Sequence, residues 1–124
     1  MVAAINEICE ACQAGKPKEV LYALLKALER ETLAHLEHEN MVMREIFTDQ
    51  KRGMGNDVKA MTRRMIAGHV AEHERNLSEL RVIMRTARAE PDCGAEHICA
   101  ELKKWFLDHA VKYDADLKAI FQAF

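Results

Sequence analysis

Lys103-Lys-Trp-Phe-Leu-Asp-His109-Ala-Val-Lys-Tyr-Asp114-Ala-Asp-Leu117 is the stretch whose reading decides the fold. With Ile98 and Leu102 before it and Ile120 after it, Trp105, His109 and Leu117 continue one helical stripe. An apolar helical face excludes His, Asp and Glu unless they are paired or bind a metal. Two upstream pairs break the rule in the same way: His35 with Glu39, and His69 with His73. Each pair lies within an apolar stripe, and the three stripes belong to three different helices. A metal site inside a helical bundle accounts for all of them.

Working outward, the helix boundaries come from punctuation. The chain has five glycines and two prolines, placed where helices should break. Residues 1–14 read as a short first helix with Val2, Ile5, Ile8, Cys9 and Cys12 near one face, stopped by Gly15. A second helix runs from about Pro17 to Phe47 or slightly beyond, on the stripe Leu21, Leu24, Leu25, Leu28, Leu36, Met43 and Ile46. Gly53-Met-Gly55-Asn56 is a turn, and Asn56 or Asp57 caps a third helix that continues to about Ala89. Its expected inner line is Met61, Met65, His69, His73, Leu77, Leu80 and Met84. Pro91-Asp92 breaks it, and the fourth helix starts near Cys93. No stretch alternates like a strand, and there are no repeats or linkers. Three long helices and a short first one, with short connections, predict an all-α, antiparallel up-down-up-down four-helix bundle filling a single domain, 1–124.

Composition excludes several function classes. Of 124 residues, 49% are hydrophobic and 31% charged, an ordinary globular balance. The formal net charge of -2, with basic residues scattered and no stacking aromatics between them, argues against nucleic acid. No stretch is apolar enough to span a membrane, and the first residues lack the pattern of a signal peptide. Four cysteines, at 9, 12, 93 and 99, are too sparse for a disulfide scaffold, which predicts free thiols in a reducing cytoplasm. No nucleophilic or hydrolytic constellation stands out, so no catalytic residue is expected.

Side chains four apart lie one turn above one another on a helix, so His35/Glu39 and His69/His73 can each grip one metal or hold two neighbouring ones. Alone, either pair arises easily by chance. His109 and Asp114, five apart, turn away from each other, a spacing that a generic two-ligand site would not choose. The segments His35-Leu-Glu-His-Glu39 with Met43, Gly68-His69-Val-Ala-Glu-His73, and Trp105-Phe-Leu-Asp-His109-Ala-Val-Lys-Tyr-Asp114 resemble, in this order, the bacterial hemerythrin-like domains. The resemblance covers nearly the whole chain. It implies two non-haem irons joined by an oxo or hydroxo group. His69, His73 and His109 would ligate one iron, His35 the other, and Glu39 and Asp114 would bridge them. Imidazole and carboxylate donors suit iron.

The family supplies a further His from its first helix, and no His lies before position 35 here. Either the protein lacks this ligand or the sequence is a piece of a longer chain; Glu7 and Glu10 are the nearest substitutes. The resemblance further implies binding of O2, NO or another small diatomic or anion. A less saturated second iron favours an oxygen- or redox-sensing module, with a possible effector domain in a larger signalling protein. O2 carriage or storage, a di-iron oxidase or peroxidase-like enzyme, and a metal-free interaction bundle are the competing classes. Elsewhere the plainer readings prevail. His38 and His97 read as solvated, and Cys9-x-x-Cys12 as two small buried residues rather than a redox pair. Trp105 reads as core that could also wall the site.

Overall fold

The computed structural model describes residues 2–90, 94 and 97–109. Four α-helices are present among them: α1, Val2–Gln13; α2, Lys18–Gln50; α3, Asn56–Ala89; and α4, residues 97–109. No strand occurs among the described residues. The first helix is short because Gly15 takes a left-handed φ of 65°, which ends the helix, and Pro17 opens the next. A 3-10 turn, Lys51–Gly53, separates α2 from α3. Gly55, rather than Asn56 or Asp57, occupies the N-cap of α3, and no side chain caps that end.

The two long helices run antiparallel. As positions rise along α2, their partners fall along α3: Glu29 meets Arg81, Leu36 meets Leu77, Asn40 meets His73, and Met43 meets Ile66. The connections from α1 to α2 and from α2 to α3 are short, so these sequence neighbours fold back on one another in an antiparallel bundle. All four helices feed the main core, where Ile8, Leu25, Leu28, Leu80 and Leu102 are almost fully enclosed. Each such side chain contributes about 1.5–3 kcal/mol of hydrophobic stabilisation. Trp105 belongs to this core, and its indole N–H donates to the Asn76 carbonyl at 2.9 Å. No described helix is long and apolar enough to cross a membrane.

Two expectations need correction. Met61 is exposed and Met65 half-buried, while Thr62 and Ile66 face inward. Repeated steps of four drift by roughly 40° each around a helix of 3.6 residues per turn. A line drawn from Met61 through Met65 to Leu77 therefore leaves the face, whereas Thr62, Ile66, His69, His73, Asn76, Leu80, Met84 and Ala87 mix steps of three and four and stay on it. The second correction is that Cys9 and Cys99 are not free thiols: they form a disulfide between α1 and α4, with Cα atoms 5.3 Å apart. They lie 90 residues apart in sequence, so nothing local announces their meeting. Cys12 lies outside that bond, packed against the same core.

Candidate metal centre

Past the main core, the α2–α3 seam alternates apolar and polar layers. Leu36 and Leu77 form one apolar layer, and Met43 with Ile66 forms the next. Between them α2 presents Glu39 and Asn40, and α3 presents His69 and His73. His69 and His73 are buried, at 1% and 2% exposure. One helical turn separates them, so their rings meet edge-on, with centroids 4.2 Å apart.

Glu39 reaches across the seam. Its Oε2 lies 3.0 Å from His73 Nε2 and 3.6 Å from His69 Nε2, and its Oε1 lies 2.8 Å from His35 Nε2. Burial pushes the Glu39 carboxyl up, but hydrogen bonding from His69 and His73, and the attraction of His35 and His73 when those rings are protonated, outweigh it. The group is held well below the usual carboxylate range and is anionic. Oε2 itself is buried, facing the two ring nitrogens. A buried carboxylate oxygen facing two imidazole nitrogens is satisfied either by protons on those rings or by a cation held between them. The ligand atoms of Glu39, His69 and His73 all lie within 4.8 Å of one another, a span that suits one metal ion. On these observations the donor set fits a metal.

The other expected ligands are placed differently. His35 sits at the rim, its side chain 55% exposed, and touches the group only through Glu39. His109 is buried on α4, but its Nε2 donates to Glu79 Oε2 at 2.5 Å, outside the Glu39 group. Asp114 lies outside the described residues. Glu7 and Glu10, the candidate substitutes from the first helix, are exposed and take no part. His38 and His97 are exposed, as expected of solvated side chains.

Two participants escaped the sequence reading. Asn40 Oδ1 accepts from His73 Nδ1 at 2.7 Å, and Glu79 holds His109. For Asn40 a faint signal exists: a step of four from buried Leu36 lands on it. Glu79 carries no such signal, because it is one of twenty acidic residues and its side chain is half exposed.

One family model, described as the hemerythrin HHE cation binding domain, matches residues 1–121. No curated protein and no solved structure matches the chain.

Proposed function

Since the chain belongs to the hemerythrin HHE cation-binding family, we propose that it is a non-haem iron protein that binds O2 or NO and reports oxygen or redox state. The observation that carries this reading is the convergence of the Glu39 carboxylate, 3.0 Å from His73 Nε2 and 3.6 Å from His69 Nε2, with two buried imidazoles whose ligand atoms all lie within 4.8 Å of one another. Glu39, His69 and His73 hold the cation in this proposal, with His35 at its open side. The two-iron form adds His109 and Asp114, with Glu39 and Asp114 as bridges, and requires His109 to leave Glu79.

The chain's own contribution is geometry and exclusion of water. The Leu36/Leu77 and Met43/Ile66 layers close the site along the bundle axis, which strengthens every charge interaction between them. Glu39 supplies negative charge without needing to lose a proton near neutral pH. When bound, reduced iron supplies the electrons and the open coordination position that a diatomic ligand needs. The exposed His35 rim gives such a ligand a short path from solvent. An unsealed rim suits a sensor, which must respond and reset, better than a store, which must protect its cargo. A cytoplasmic setting belongs to the same proposal, and there a reducing environment works against the Cys9–Cys99 bond.

Reconstitution with Fe(II) under anaerobic conditions, metal analysis, and an optical spectrum recorded as O2 is admitted test this reading. Two irons per chain and a spectral change with O2 support it. One iron per chain removes the two-iron form. An absence of bound iron sinks the proposal and leaves a metal-free interaction bundle.

A further inference from the structure

His73 is gripped from both edges by consecutive residues of α2. Glu39 Oε2 faces its Nε2 at 3.0 Å, and Asn40 Oδ1 faces its Nδ1 at 2.7 Å. The two ring nitrogens are not equivalent: in a neutral imidazole one carries the proton and the other the lone pair. A carbonyl oxygen accepts and cannot donate, so the Asn40 contact places the proton on Nδ1. In the neutral ring held this way the lone pair falls on Nε2, which faces the Glu39 carboxylate and belongs to the Glu39–His69–His73 group, so that a cation between them replaces a repulsion with two bonds. Edge-on packing against His69 restrains the same ring.

We propose that Asn40 is a positioning residue of the metal centre: it selects the Nδ1–H tautomer of His73 and so presents Nε2 to the cation. The proposal rests on the metal-centre reading above for its consequence, but not for the tautomer, which is a property of the metal-free protein. The residue acts through His73 and touches no metal itself. A hydrogen-bonded partner on the far nitrogen of a ligating His fixes ring and tautomer together, and its loss typically lowers metal affinity about 10–100-fold.

Two variants separate this role from simple packing. Asn40→Leu keeps similar bulk without an acceptor, and Asn40→Asp keeps an acceptor at the same place. Neither should unfold the protein, because Asn40 is only partly buried and lies outside the apolar layers; thermal melts check this. In 15N-histidine-labelled, metal-free protein in mildly alkaline buffer, long-range 1H–15N correlations report which His73 nitrogen is protonated. The wild type and Asn40→Asp should show Nδ1–H, and Asn40→Leu should show a mixture or Nε2–H. Anaerobic titration with Fe(II) should then show affinity about 10–100-fold weaker for Asn40→Leu, and within a few-fold of wild type for Asn40→Asp. An unchanged tautomer in Asn40→Leu overturns the proposal, as does an Asn40→Asp protein that binds as weakly as Asn40→Leu. If the tautomer shifts as stated but wild-type protein binds no Fe(II), the selection of Nε2 stands and the metal-centre reading is what fails.

Discussion

Reducing the Cys9–Cys99 bond should destabilise the bundle by several kcal/mol. The bond joins residues 90 apart and closes most of the described chain into one loop. In the chain-entropy account, a loop of that length removes about 15 cal/mol/K from the unfolded ensemble, or about 4.6 kcal/mol at room temperature. Residual structure in the unfolded chain lowers this toward the 2–4 kcal/mol typical of measured disulfides. At roughly 2.1 cal/mol/K of unfolding entropy per residue, the melting temperature should fall on the order of 10–15 °C. The assay is a pair of melts of metal-free protein, with and without a thiol reductant, after peptide mapping has established the 9–99 linkage. Cys99→Ala supplies the control: it should melt near the reduced wild type and ignore the reductant. The reasoning fails if oxidised and reduced wild type melt together, or if Cys99→Ala still responds to reductant. The bond also matters for the site, because it ties α1 to α4, the helix that carries His109.

Glu39→Gln keeps the shape of the side chain and removes the charge, so it should lose bound iron outright, whereas His35→Ala, altering an exposed rim residue, should retain more; metal analysis after Fe(II) loading decides this. The folded Glu39 carboxyl titrates well below its ordinary value of 4.5, so its contribution to stability is present above that pH and is lost as the pH falls from there toward the depressed folded value. Stability-versus-pH curves of metal-free wild type and Glu39→Gln should therefore stand apart above that pH and converge as the pH falls through the window, and curves superimposable throughout would contradict the depressed pKa. Leu28→Ala empties a fully enclosed site in the main core and should cost about 2–5 kcal/mol in a denaturant melt. Trp105→Phe removes the donor to the Asn76 carbonyl and should cost about 1–3 kcal/mol, with little effect on iron content.

Helix number and order, and the approximate lengths of α1 to α3, were legible in the chain alone. They depend on local rules, namely apolar residues every three or four positions and Gly or Pro at the breaks, and each is satisfied within one turn of the residue concerned. Gly15 and Pro17 bound α1 and α2 where the sequence places them, and His69 and His73 point inward as their stripe requires. The meeting of Glu39 with that pair was legible too, through the family pattern of spaced ligands. Tertiary structure decided the rest. The rotation of α3 about its axis turned Thr62 and Ile66 inward and left Met61 outside, because a small angular drift per turn accumulates over a long helix. The register of α2 against α3 put Asn40 on His73, and the approach of α4 put Glu79 on His109 and Cys99 on Cys9. Each of these contacts joins residues at least 30 apart. Their geometry is set by how whole helices settle against a shared core, and no local pattern encodes it.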